Sequence, residues 1–339
     1  MKILFFSHSF YPNIGGIETV SMQLVNNFIE RTDVSIIVVC RTKEIGNLQL
    51  PFDVVRDPSI KKIVSLLEWC DVVFENNPCF GMSWVNFIIR KPKVVALHTW
   101  IVVPGSNITL LQKLKKTLLS DYNAVIACSN KIRSYTFEKA LVIENAYDTA
   151  LYYDKKEVKT MDFVFLGRLV SDKGADMCIE LIQELKKNDG KEYSLTIIGD
   201  GPEMEDLKEL TKNYNLNPQV RFLGFLKGIA IVRELNIHRF LLVPSRWEEP
   251  FGLVALEGLA CGCIPIVSDG GGLPDAIGKA GVLFKRNSLL SLVQTTKKLL
   301  KNNADQTRLI QLANSHLNLH TQKEVSQRYF DVILKALKL

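Results

Sequence analysis

Twelve short, β-rich, largely apolar runs punctuate this chain, and helix-periodic stretches separate them. In the first half the runs are Lys2–Ser7, Val34–Cys40, Asp71–Glu75, Lys93–His98, Ala124–Cys128 and Leu141–Glu144. In the second half they are Asp162–Gly167, Ser194–Gly199, Val220–Gly224, Phe240–Pro244, Cys263–Val267 and Gly281–Phe284. Strands that stay apolar without alternation are buried on both faces, which is the signature of parallel sheets covered by crossover helices. Two such series in one chain predict an α/β protein of two doubly wound, Rossmann-like domains. A length of 339 residues suits two domains. The polar stretch Thr149–Met161 separates the two series and predicts domains over 1–150 and 151–321. The remainder, 322–339, carries Val325, Tyr329, Val332, Ile333 and Ala336 at helical spacing and predicts a terminal helix.

Composition excludes several classes. No apolar run approaches the roughly 18 residues needed to span a membrane. The opening MKILFFSH turns polar too soon for a signal peptide and reads as a buried strand. Seven cysteines without metal-like spacing predict reduced thiols in a cytoplasmic protein. Cys261 and Cys263, separated only by Gly262, read as small core residues. The net charge of +6 is modest and no nucleic-acid motif accompanies it. One local cluster, Leu110–Leu119, sets Lys113 and Lys116 against Leu111, Leu114 and Leu118. It reads either as a basic amphipathic helix on the surface of an anionic membrane or as an ordinary solvated helix.

The chemistry concentrates between Pro244 and Pro274. Glu249 precedes a helix and Glu257 lies inside it, eight positions later, with the Pro250-Phe251-Gly252 turn between them. The helix is apolar (Leu253, Val254, Ala255, Leu256, Leu259, Ala260), and Cys261-Gly262 ends it. Glu257 is its single charge. A buried carboxylate without a partner is costly, so Glu257 must reach water or meet donors, and a sugar diol supplies donors. Upstream, the run Asp162–Gly167 leads into Gly167-Arg168-Leu169-Val170-Ser171-Asp172-Lys173-Gly174 and then into a helix with Cys178, Leu181, Ile182 and Leu185 on one face. A lysine at a helix N-terminus opposes the helix dipole by roughly 0.3–1 kcal/mol. An anion held by Arg168, Lys173 and free backbone N–H groups reverses that penalty, and a diphosphate fits. Gly199-Asp200-Gly201-Pro202 is a tight turn and a candidate nucleotide wall. Gly15-Gly16 opens a helix where a ligand can approach bare amides, but the dinucleotide spacing is absent. His98 ends a strand on the side where open α/β sheets bind ligands. Gly270–Gly272 follows another strand end.

The Glu249-x7-Glu257 pattern resembles that of retaining glycosyltransferases of family four, which have the GT-B fold. The Gly167-Arg168-x4-Lys173-Gly174 and Gly15-Gly16-x-Glu18 elements resemble that family as well, so the likeness covers nearly the whole chain. It departs at His98-Thr99, where His-Asp is common, and at Asn145-Ala146-Tyr147-Asp148, where Asn-Gly-Val-Asp is usual.

The resemblance implies two Rossmann-like domains facing a central cleft, the first binding an acceptor and the second a nucleotide sugar. It implies that the terminal helix crosses back to the first domain. It implies catalytic roles for His98, Arg168, Lys173 and Glu249. Donor binding would use Gly15, Gly16, Arg168, Lys173, Gly201, Glu249, the backbone of Phe251, Gly252 and Leu253, and Glu257. No cofactor is expected; a nucleoside diphosphate sugar, UDP-linked on family precedent, is the co-substrate. With no Asp-x-Asp motif in the chain, no metal is expected. The implied reaction moves a hexose-type sugar, with retention, to a glycan or lipid-linked acceptor of polysaccharide or lipopolysaccharide type, at the inner face of the membrane. A GT-B-fold sugar-nucleotide epimerase and an inert sugar-nucleotide-binding protein are the alternatives.

Overall fold

A computed structural model of the protein describes residues 1–13, 15–43 and 49–338. Ile14 in the glycine loop, 44–48 in the first half and Leu339 of the terminal segment lie outside the described residues. The chain divides into two compact units. One is Met1–Ala146 together with Gln322–Leu339, and the other is Tyr147–Thr321.

In the first unit the described strands are β1 (Lys2–Ser7), β2 (Ser35–Cys40), β3 (Asp53–Arg56), β4 (Val72–Asn76), β5 (Lys93–Leu97), β6 (Ala124–Ala127) and β7 (Leu141–Val142). They form one sheet in the order β3-β2-β1-β4-β5-β6-β7, with every pair parallel. Strands β1, β4 and β5 are apolar on both faces because helices cover both. Ile3, Leu4, Phe5 and Phe6 are fully buried in consecutive positions. Ile3 and Phe5 join a core with the Gly16–Ile29 helix, while Leu4 and Phe6 join one with the Ile60–Trp69 helix. The terminal helix Gln322–Leu337 packs in the first of these cores. Its Phe330 ring lies 5.8 Å from that of Phe28, and Tyr329 lies edge-on to Phe74 at 6.0 Å.

Strand β3 has no counterpart among the expected runs. It is a four-residue edge strand with only two apolar residues, none of them fully buried, so it carries no continuous apolar signal.

In the second unit the strands are β8 (Met161–Leu166), β9 (Leu195–Ile198), β10 (Val220–Gly224), β11 (His238–Val243), β12 (Ile264–Ser268) and β13 (Val282–Phe284). Their order is β10-β9-β8-β11-β12-β13, again all parallel. Both sheets reverse direction of strand order beside their first strand, between β1 and β4 and between β8 and β11. At such a switch point the loops leaving two neighbouring strands diverge and leave a crevice above the sheet. No helix among the described residues is long and apolar enough to cross a membrane.

Candidate active site

In the second unit, β8 and β11 are adjacent and parallel, so the loops at their C-terminal ends emerge side by side. One loop carries Arg168 and Lys173 and the other carries Ser245 and Glu249. Residues 76 positions apart thereby meet: the Lys173 Nζ donates to the Glu249 Oε1 at 2.5 Å. The Ser245 hydroxyl donates to the same oxygen, also at 2.5 Å. Ser245 is buried, and its carbonyl accepts the Ser268 hydroxyl at 2.8 Å. Among the described residues no partner is seen for the Glu249 Oε2.

Backbone and side-chain bonds lace these loops together. The Asp172 carbonyl accepts the Arg246 and Trp247 amides at 2.8 and 3.1 Å. Arg246 forks onto both oxygens of Asp176 at 2.7 Å and onto the Ser171 carbonyl at 2.9 Å. The two-pronged bond to Asp176 raises the guanidinium pKa, holding it charged. Lys173 ends a 3₁₀ turn, and Gly174 leads into the Ala175–Asp189 helix, whose Cys178, Leu181, Ile182 and Leu185 are buried as their spacing predicts. Arg168 stands exposed on the loop.

The glycine loop after β12 closes another side. The Gly272 amide donates to the Glu249 carbonyl at 2.7 Å, and the Gly271 amide donates to the Glu248 carboxylate, which also pairs with Arg286 at 2.7 Å. Gly271 sits at φ +63°, and a Cβ there would lie 2.1 Å from the Glu249 carbonyl oxygen. Gly201 is equally constrained: φ is +159° and a Cβ would meet the Leu169 carbonyl at 2.3 Å. The Gly199–Pro202 turn therefore packs directly on the Arg168–Lys173 loop.

Gly252 heads the Leu253–Ala260 helix and Cys261 ends it. Phe251 is buried, its ring stacked 6.2 Å from that of His320. Glu257 is half-buried, and it has a partner that sequence reading missed. The Tyr152 hydroxyl stands beside its carboxylate. Burial raises the Glu257 pKa to about 7 against the lowering pull of that hydroxyl, with the Asp148 charge adding to the rise. Tyr152 belongs to the Thr149–Met161 stretch, which reads as a polar separator although this residue is buried. Without Tyr152 in view, water or a sugar diol were the only partners to consider; the chain supplies one donor of its own.

In the first unit, His98 follows β5 and is buried. Its amide donates to the Asn77 Oδ1 at 2.7 Å, and its Nδ1 lies 3.1 Å from the Asn145 Oδ1. A carbonyl oxygen only accepts, so the proton sits on Nδ1 and Nε2 keeps a lone pair. Nε2 has no partner among the described residues. Burial lowers the imidazole pKa to about 4, so the ring is neutral at physiological pH. Asn145, set aside in the sequence because its surroundings depart from the family pattern, is what orients it. Gly15 and Gly16 open the Gly16–Ile29 helix as expected, and a Cβ on Gly16 would meet nothing within 4 Å. Among the described residues no trio of His, Cys, Asp or Glu is arranged to hold a metal ion.

The catalytic and donor-binding residues assigned from the sequence thus fall in two groups. Arg168, Lys173, Gly201, Glu249, Phe251, Gly252, Leu253 and Glu257 all lie in the second unit, and Lys173 and Glu249 touch. His98, Gly15 and Gly16 lie in the first.

Residues 154–316 match the family of glycosyl transferases group 1. The 2-deoxystreptamine N-acetyl-D-glucosaminyltransferase of Niallia circulans is 27% identical over 276 residues, which is 80% of this chain and 66% of that protein. A component of the human phosphatidylinositol N-acetylglucosaminyltransferase is 24% identical over 333 residues, 88% of this chain and 68% of the relative. This chain thus spans about two thirds of the length of either protein. Among solved structures, Anabaena Alr3699/HepE in complex with UDP superposes with a TM-score of 0.82 at 18% identity, covering 98% of this chain and 100% of that one. The lipopolysaccharide outer core galactosyltransferase WaaB superposes with a TM-score of 0.77 at 16% identity, covering both chains fully (100% each). At these identities the structural likeness is one of fold: two parallel-sheet, Rossmann-like α/β domains of the GT-B type.

Proposed function

We propose that this chain is a group 1 glycosyltransferase that moves a hexose-type sugar, with retention, from a UDP-sugar to a hydroxyl of a glycan or lipid-linked acceptor. The observation that carries the reading is the Lys173–Glu249–Ser245 cluster at the mouth of the β8/β11 crevice, within the segment that matches the family. A lysine at a helix N-terminus, with the exposed Arg168 on the same loop, suits a diphosphate, whose negative charge grows as it leaves. Glu249 keeps Oε2 for hydroxyls of the transferred sugar, and the backbone of Phe251, Gly252 and Leu253 orients it. Glu257 accepts from the ribose diol, which must share it with Tyr152. Gly201 walls the nucleotide. Within the first unit, the candidate groups are the Gly16 amide and the lone pair on His98 Nε2. Family precedent favours attack from the face the diphosphate leaves, with its oxygen taking the acceptor proton. The UDP in the HepE structure supports the choice of nucleotide.

Arg168 and Lys173 supply the positive charge that a metal ion provides elsewhere, so the reading is of a metal-independent enzyme. The acceptors named for relatives, including a lipid in the human protein and an outer core in WaaB, support a lipid-linked or lipopolysaccharide-type acceptor; the reading adds that it is used at the inner face of the membrane.

A GT-B-fold epimerase would instead release free nucleotide and altered sugar without an acceptor. The presence of both the Arg168/Lys173 and the Glu249/Glu257 pairs favours transfer. The deciding experiment is a thermal-shift panel with UDP, GDP, ADP and their sugars in EDTA, followed by NMR of the anomeric product formed from the stabilising donor. Stabilisation by UDP-sugars and an α-linked product from an α-donor support the reading. An inverted product, or free altered sugar without acceptor, defeats it.

A further inference from the structure

The Leu110–Leu118 helix buries none of its nine residues. Leu110 is 84% exposed, Leu111 60% and Leu114 54%, and Ile108 just ahead of the helix is 47% exposed. Exposed leucines that are neighbours on one helix face are uncommon on a surface that meets only water. The helix is nonetheless well formed at its start: Thr109 and Gln112 make a reciprocal capping box.

At about 100° per residue, Leu110, Leu114, Leu118 and Leu111 fall within an arc of about 100°. Lys113 lies about 60° beyond one edge of that arc and Lys115 about 40° beyond the other. Lys116 lies on the opposite side, where its Nζ donates to the Tyr135 carbonyl at 2.8 Å. Lys113 and Lys116 are neighbours about 60° apart, as their spacing predicts, but only Lys113 borders the apolar arc. Lys116 ties the back of the helix to the protein body, and the apolar arc with its two lysine borders faces outward. From Ile108 to Ala140 the chain carries Lys113, Lys115, Lys116, Lys131, Arg133 and Lys139 against Asp121 and Glu138, six cations minus two acids, or +4 of the whole chain's +6.

We propose that this helix is a docking face for an anionic lipid surface. The leucines enter the boundary between headgroups and acyl chains, and Lys113 and Lys115 extend along the apolar stripe to the lipid phosphates on either side. The charge selects this occupant over a second copy of the chain, whose identical lysine borders would repel these. The inference rests on the helix alone, so it stands or falls independently of the transfer reaction.

The test is co-sedimentation of the full chain with vesicles of phosphatidylcholine and of equal parts phosphatidylcholine and phosphatidylglycerol. Three proteins are compared: wild type, the triple variant Leu110→Ser/Leu111→Ser/Leu114→Ser, and the double variant Lys113→Glu/Lys115→Glu. Circular dichroism and the nucleotide thermal shift report whether each variant is folded. The wild type should bind only the anionic vesicles, less tightly as salt rises. Each variant should lose at least about tenfold in partitioning, as expected for about a kilocalorie per interfacial lysine and for the lost apolar contact. Failure to bind anionic vesicles, equal binding to neutral ones, or undiminished binding by both folded variants overturns the proposal. So does a concentration-dependent dimer in ultracentrifugation that the leucine variant abolishes, because that assigns the face to a second copy.

Discussion

Replacing Glu257 with Gln removes a charge that the fold holds at a disadvantage. Burial raises the carboxyl from an ordinary value of 4.5 to about 7. The folded state therefore binds a proton that the unfolded state has released across that interval, and stability falls as pH rises through it. One pKa unit corresponds to about 1.4 kcal/mol, so the full penalty is about 3 kcal/mol above pH 7 and only about 1 kcal/mol at pH 5. Glu257→Gln keeps an acceptor for the Tyr152 hydroxyl but has no proton to lose. The exchange itself adds a constant offset, so the informative quantity is the slope. Urea unfolding at a series of pH values from 5 to 8 should show the wild type losing about 2 kcal/mol relative to the variant. Ligand binding gives a second reading of the same group. Ribose hydroxyls favour the carboxylate, so nucleotide affinity of the wild type should rise with pH up to about 7 and level off. The variant's affinity should be flat. Parallel stability profiles for the two proteins would show that Glu257 is not held near neutrality and would remove the basis of the argument.

Three further outcomes follow from the site and the core. Lys173→Ala should lower turnover by about two or more orders of magnitude with an unchanged circular dichroism spectrum, since it removes charge stabilisation of the leaving diphosphate; wild-type turnover in the folded variant would refute that role. Gly271→Ala forces a Cβ to within 2.1 Å of the Glu249 carbonyl at a positive φ, so it should cost about 1–3 kcal/mol in thermal stability and impair turnover through Glu249; an unaltered melting temperature would contradict the packing. Burial lowers His98 and His238 to about 4. Each unfolded ring takes a proton near pH 6.5 that the folded ring refuses, so stability falls as pH drops from 6.5 toward 4, and ring-proton NMR should show both unprotonated down to pH 5; titration of either near 6.5 would refute this.

The two sheets were legible because each buried strand is apolar without interruption, as in Ile3–Phe6 and Phe240–Val243. β3 was not, because an edge strand of four residues needs no such run. Lys173 and Glu257 stood out as charges in places that penalise charge, namely a helix N-terminus and an apolar segment, and Glu249 by its spacing from Glu257. Their partners did not. Ser245 and Tyr152 are ordinary polar residues whose importance comes from tertiary proximity, and no local pattern distinguishes a tyrosine in a polar stretch from one that reaches a buried carboxylate. Asn145 was similarly opaque: its contact with His98 spans 47 positions and depends on the order of strands in the sheet. The tether of Lys116 to the Tyr135 carbonyl was not legible either, because helical spacing states which residues are neighbours but not which side of the helix meets the protein.

The terminal helix has a consequence for synthesis. The second unit is one continuous stretch, Tyr147–Thr321, and emerges from the ribosome complete. The first unit is not: Val325, Tyr329, Phe330, Val332, Ile333 and Ala336 sit in the same core as Ile3, Phe28 and Phe74. The half made first is therefore finished last. Until that helix is translated, the apolar side of β4, β5 and β6 beside Phe28 lacks its cover. The nascent chain carries that open face through the synthesis of an entire second domain, which is the interval in which a chaperone has something to hold.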